Sequence, residues 1–273
     1  MGGFATRFMR KPLRVIALIG LAVGMLAAAA PVQASAERGT PPGQEPVVRE
    51  VFVDYPKEHP GPDAQAKPSG APKGGSACTL PATELCTDFK YTGIHWATPT
   101  VTYYVNESGA SGSLGAIQTA FGTWDNETGS PAVEAAYPGN LSAIDYTYAA
   151  PTDAKGPVFD TKNVVFFDDL SSYCSNCLAA TWYWYNRYDK HLVEFDIGFN
   201  TNYSWSVSVA GETGKYDVQN VATHEVGHTL VLSDLYVAKD GALTMYGYAG
   251  VGETNKWDLG AGDVLGVRKI YPL

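Results

Sequence analysis

The sequence predicts an α+β domain: a twisted mixed β-sheet with a long first helix, a second helix that would carry the active site, and a C-terminal helix. Three observations predict it. Short β-branched and aromatic runs bounded by turn residues recur between positions 101 and 199. Leu114, Ile117, Ala120, Phe121 and Trp124 recur at helical spacing. The stretch His224-Glu225-Val226-Gly227-His228 lies in a segment that is otherwise apolar and opens on a good N-cap residue, Asp217.

The elements follow in order. Val101 to Val105 reads as a strand, and Leu114 to Thr123 as the first long helix. Asn163 to Asp168 is apolar enough for a central strand. Ala179 to Tyr185 and Leu192 to Phe199 are two more strands, joined as a hairpin through Asn186 to Lys190. Val218, Val221, Ala222 and Leu230 give the second helix its buried side. Val264, Val267 and Ile270 do the same for a last helix over Ala261 to Tyr271, with Asp263 near its start. Trp182-Tyr183-Trp184-Tyr185 reads as sheet packing. No internal repeat is visible.

Ahead of this domain, placed at 77–273, lie two segments of different character. Residues 1–36 have a basic beginning (Arg7, Arg10, Lys11, Arg14), an apolar run from Val15 to Ala30, and small residues at Ala34 and Ala36. That is the pattern of a secretory signal peptide. Residues 37–76 are rich in Pro, Gly and charge, with one apolar patch from Val47 to Val53, and read as a linker or a short pro-segment. A pro-segment would offer a ligand to a metal. This one has no Cys, which leaves His59, Asp54 and Glu58; a solvated linker is the simpler reading. Order is expected to begin near Cys78.

The formal charge is −9, and becomes −13 without the four basic residues of 1–36. An acidic exported chain is a poor partner for nucleic acid or anionic membrane. A soluble extracellular monomer without stable membrane association is expected. In an oxidising compartment the four cysteines should pair. Of three connectivities, local pairing of Cys78 with Cys86 and Cys174 with Cys177 is favoured.

On a helix, His224 and His228 stand at i and i+4, so both imidazoles project from one face and can grip one metal ion. Glu225 lies between them, within reach of a metal-activated water. Two histidines leave room for a third ligand and a water, as a catalytic zinc requires. Asp234 follows six residues beyond His228, and Met245 follows in Leu243-Thr244-Met245-Tyr246-Gly247. These residues predict amide hydrolysis by zinc-activated water, with Glu225 as the base. His95 and His191 have no ligand constellation around them and read as packing residues. The many Asp residues leave Ca2+ open, but no D-x-D-x-D-G loop is present.

The pattern from His224 to Asp234, with Met245, resembles the metzincin zinc endopeptidases in their variant with Asp as third ligand. Thr244-Met245-Tyr246, the ending Gly262 to Tyr271, and Glu194 to Asn200 resemble the matrixin branch. The resemblance implies a metzincin-type sheet and a secreted endopeptidase acting on protein or peptide substrates. It also implies zinc on His224, His228 and Asp234, and a Met-turn at Met245. Tyr246 and Tyr248 are candidates to stabilise the oxyanion or to line the pocket. The substrate is expected to lie along an edge strand. The sequence departs from the pattern at Val231, where a Gly is usual. Either the helix runs longer here, or Leu232 and Ser233 build the turn. A rival third ligand is Glu253. Alternative functions are a silent zinc-containing binding module and a hydrolase of non-protein amides or esters.

Overall fold

The computed structural model describes residues 47–58, 86–98, 100–126, 132–135 and 150–272. Among the described residues there are twelve strands: β1 (Val47–Pro56), β2 (His95–Trp96), β3 (Thr100–Val105), β4 (Ala132–Ala135), β5 (Thr152–Asp153), β6 (Gly156–Pro157), β7 (Val164–Asp168), β8 (Ala179–Asn186), β9 (His191–Asn200), β10 (Trp205–Ser206), β11 (Tyr216–Asp217) and β12 (Tyr248–Ala249). The α-helices of the described residues are α1 (Leu114–Asp125), α2 (Val218–Thr229) and α3 (Ala261–Ile270). This is the α+β architecture expected.

The main sheet runs β12-β1-β8-β9-β7-β3-β4, with β2 added alongside β9. β9, β7, β3 and β4 pair in parallel; β8 is antiparallel to β9. The sequence reason is the short turn Asn186 to Lys190, which can only close an antiparallel hairpin. Alternation along β8 divides its side chains between two cores. Ala179, Tyr183 and Tyr185 join the larger core, which includes Phe121 and Trp124 of α1 and Val221 and Val226 of α2. Ala180, Trp182 and Trp184 pack on the opposite face with Cys177 and Leu170. The aromatic run 182–185 is therefore buried packing.

α1 braces α2. Trp124 donates its indole N–H to Thr223 O at 2.7 Å, and the ring is fully buried. α2 begins where expected: Asp217 accepts the Asn220 N–H at 2.7 Å. Asp217 is also gripped by the Trp257 indole at 2.7 Å.

Two expectations meet the structure differently, and a third is met in part. Order does not begin near Cys78: Val47–Pro56, inside the stretch read as linker or pro-segment, forms β1 between β8 and β12. Its apolar and β-branched residues can gain backbone partners only from strands far away in sequence, which the local Pro/Gly composition hides. Cys174 and Cys177 form the expected disulfide, whereas Cys78 and the segment 1–36 lie outside the described residues. Neither alternative offered for Val231 is used. Val231 itself takes the left-handed conformation, φ +64°. Its N–H bonds His228 O at 2.9 Å and the Leu232 N–H bonds Gly227 O at 3.1 Å, the two bonds of a Schellman C-cap. A left-handed non-glycine residue costs about 1–2 kcal/mol. Complete burial of the Val231 side chain offsets this by about the same amount. Among the described residues, no helix is long and apolar enough to cross a membrane.

Candidate metal centre

α2 presents His224 and His228 one turn apart, and the Schellman cap turns the chain so that Asp234 returns to them. His224 Nε2 lies 3.1 Å from His228 Nε2. Asp234 Oδ1 lies 3.1 Å from the first and 3.3 Å from the second. Three donors arranged tetrahedrally at about 2.0–2.1 Å from zinc stand roughly 3.3 Å apart, so this triangle has the dimensions of a zinc face. Asp234 Oδ1 is buried and has no hydrogen-bond donor, which suits an atom whose lone pair serves a cation.

The imidazoles are oriented from behind. His224 Nδ1 donates to Thr244 O at 2.7 Å, and His228 Nδ1 donates to Leu232 O at 2.8 Å. Both bonds leave the Nε2 lone pairs facing the triangle. Burial and the nearby Lys256 ammonium push the His224 pKa down. At His228 burial acts in the same direction, but attraction to Asp234 outweighs it and raises the pKa. Burial would raise the Asp234 carboxyl; attraction to His228 and the close approach of both imidazoles overcome it and hold Asp234 far below the usual range.

Glu225 faces the same space. Thr181 of β8 donates its hydroxyl to Glu225 Oε2 at 2.5 Å, while Oε1 has no partner. Burial pushes the Glu225 carboxyl up to about 8, against the pull of His228.

Met245 lies beneath α2. A Cβ on Gly227 would fall 2.2 Å from Met245 Sδ and 2.8 Å from the Trp124 ring, so position 227 must be glycine for the two elements to meet. Asp263 of α3 holds the Met245 segment by accepting the N–H groups of Thr244 (2.8 Å), Met245 (3.1 Å) and Gly260 (2.9 Å). Leu235 N–H bonds Met245 O and Gly247 N–H bonds Leu235 O, tying the Asp234 segment to it.

The other candidates separate clearly. Glu253 turns away to an ion pair with Lys57 and to the Gly250 N–H; it does not join the triangle. Tyr246 and Tyr248 stack edge-on, 5.4 Å apart, and Tyr248 also meets Tyr236. His95 and His191 pair across β2 and β9, with ring centroids 5.0 Å apart. Among the described residues, two groups could hold a metal, His224/His228/Asp234 and Asp54/His224/Glu225; a third cluster, Cys86/Asp88/Asp240, has its cysteine engaged in a disulfide. None is an all-oxygen set of the kind calcium takes.

Sequence reasoning missed Lys256 and Thr181 as neighbours of the site, and named Asp263 only as a helix-start residue. Lys256 is fully buried, donates to Tyr246 O at 2.5 Å and reaches within 3.3 Å of His224 Nδ1. Burial lowers its pKa. No local pattern marks a lysine that arrives from a loop 32 residues downstream of His224.

An α+β domain with two helix-borne imidazoles and a returning carboxylate is a domain whose donor set could hold a metal ion. The matrixin family model matches residues 95–272, close to two thirds of the chain. The chain belongs to the matrixin family of zinc-dependent metallopeptidases. No curated protein matches it.

Proposed function

We propose that this protein is an exported zinc endopeptidase in which His224, His228 and Asp234 hold the metal and Glu225 is the general base. The observation that carries this is the triangle of His224 Nε2, His228 Nε2 and Asp234 Oδ1, with edges of 3.1–3.3 Å. Zinc bound there would supply the positive charge that polarises the scissile carbonyl and acidifies water. Glu225, one residue from His224, accepts the proton of the attacking water and delivers it to the departing amine. The peptide bond and one water become a carboxylate and an amine. Thr181 keeps the Glu225 carboxylate aimed into the site. Thr244 O and Leu232 O fix the histidine tautomers. Met245 supports α2 from below as the Met-turn, and Tyr246 and Tyr248 line the pocket wall. The substrate adds as an extra strand along the sheet near α2; in this structure both sides of β8 are already paired, with β1 and with β9. The pattern of residues 1–36 supports export.

Zinc content and casein cleavage of the wild type, Asp234→Ala and Glu225→Gln test this. One zinc per chain with proteolysis is expected. Asp234→Ala should lose both, and Glu225→Gln should keep the metal and lose turnover. Zinc retained in Asp234→Ala would move the third ligand elsewhere. Turnover unchanged in Glu225→Gln would remove the base.

A further inference from the structure

We propose that the Lys256 ammonium sets the charge of the metal centre. It restores the unit of positive charge that a carboxylate ligand, Asp234, removes from a dication, so that the ion is held less tightly and a bound carbonyl is polarised more strongly. This inference rests on the zinc reading above. It adds a residue that stands behind the ligand triangle and acts through His224 as a positioning residue.

Lys256 is 1 % exposed, and among the described residues no carboxylate comes within ion-pair distance of it. An ammonium offers three N–H groups, and Tyr246 O, at 2.5 Å, is the acceptor that meets this one. The other close neighbour is His224 Nδ1 at 3.3 Å, a nitrogen that already gives its proton to Thr244 O. That contact sets a charge against a ring and is not a hydrogen bond. Asp54, Asp234 and Glu225 attract the ammonium from further off, and Lys57 repels it. A dry ammonium without an ion-pair partner is among the costliest groups a protein buries. Such exceptions cluster at functional sites.

The charge has a fixed place. The Lys256 N–H bonds Asn220 Oδ1 at 2.8 Å, one turn before His224 on α2. The indole of Trp257 bonds Asp217, the α2 cap, at 2.7 Å. Thr123 of α1 donates to Trp257 O at 3.2 Å, and Thr244 donates to Asp258 O at 2.9 Å. Residues 256–258 are thereby fastened to α1, to α2 and to the Met245 segment.

Two neutral imidazoles leave the charge of a bound dication whole, whereas the Asp234 carboxylate cancels part of it. A buried cation one imidazole away acts through a medium of low dielectric, where screening is weak. It opposes the binding of a second cation, and it stabilises negative charge that develops on the substrate oxygen. Its removal should therefore raise metal affinity and lower turnover together. Lost packing does not produce that pair of signs.

The test measures zinc affinity of the full chain by competition with a chromophoric chelator, at one mildly alkaline pH where the imidazoles are neutral. Wild type, Lys256→Met and Lys256→Gln are compared. Met keeps the apolar stem, and Gln also keeps an N–H donor for Tyr246 O. Peptide hydrolysis per bound zinc and near-ultraviolet circular dichroism are recorded alongside. Both variants should bind zinc at least ~10-fold more tightly and hydrolyse peptide more slowly. Zinc affinity that is unchanged or weaker in the variants, or loss of the native spectrum in both, makes Lys256 a structural residue. Either result overturns the assignment and leaves the zinc reading intact. A wild-type chain that binds no zinc, or keeps it after His224→Ala, overturns the zinc reading and this inference with it.

Discussion

The sulfur of Met245 fills the space that a side chain at Gly227 would occupy, 2.2 Å from the position of its Cβ. Helix α2 and the segment below it are thereby in direct backbone-to-sulfur contact. Gly227→Ala forces Met245 or Trp124 to move in a close-packed interior. Overpacking of this kind costs about 1–3 kcal/mol, so thermal unfolding should fall by roughly 2–4 °C per kcal/mol. A companion Met245→Ala substitution makes room and should recover part of the loss in a double-mutant cycle. Full additivity of the two would mean that the contact contributes nothing.

Asp263 is the keystone for the same segment. Its carboxylate is fully buried and accepts three backbone N–H groups. Asp263→Ala strands those donors, at about 1–3 kcal/mol each before relaxation. Thr244 O also orients His224, so the variant should bind zinc more weakly as well as melt earlier. Competition with a chelator measures the first and calorimetry the second. Lower stability with unchanged zinc affinity would separate Asp263 from the metal centre.

Thr181 donates to Glu225 Oε2 and so favours the ionised carboxyl. Thr181→Val keeps the shape and removes the donor. The Glu225 pKa should rise, and because the base works only when ionised, the acidic limb of the kcat/KM profile should move to higher pH. Loss of a charge-assisted bond of ~1.4 kcal/mol corresponds to about tenfold in rate near neutrality. A lowered rate with an unmoved limb would reduce Thr181 to a packing role.

Metal removal should destabilise the fold, since a ligand bound only to the native state adds about 4 kcal/mol at a thousand times its Kd. The sign with pH follows from His228, whose pKa is raised chiefly because attraction to Asp234 outweighs burial. Zinc needs the neutral imidazole. As pH falls through the raised His228 value, protons compete with metal and zinc is released. Zinc occupancy followed by equilibrium dialysis from pH 8 to pH 5 should fall monotonically. Asp234→Asn should weaken binding across the whole range.

The regular elements were legible in the sequence because their signals are local. The strands at 164–168, 179–186 and 191–200 and the helices at 114–125, 218–229 and 261–270 lie within a residue or two of the predicted bounds. The histidine pair and Glu225 were legible for the same reason, since helical geometry fixes the relation of i, i+1 and i+4. Val231 was legible as a departure, but not in its outcome. A left-handed valine is tolerated only because the core encloses its side chain, and the core is assembled from distant residues.

By itself, then, the sequence determined the α+β class, helix α2 with its Asp217 cap, and the candidates His224, Glu225, His228 and Asp234. Only the tertiary structure decided that Asp234 rather than Glu253 faces the two imidazoles, that Lys256 and Asp263 stand behind them, and that Val47–Pro56 pairs as a strand with β8. Each of those contacts joins segments far apart in the chain. No periodicity or cap encodes such a contact; the packing of β1 against β8 and of α2 against the Met245 segment creates it.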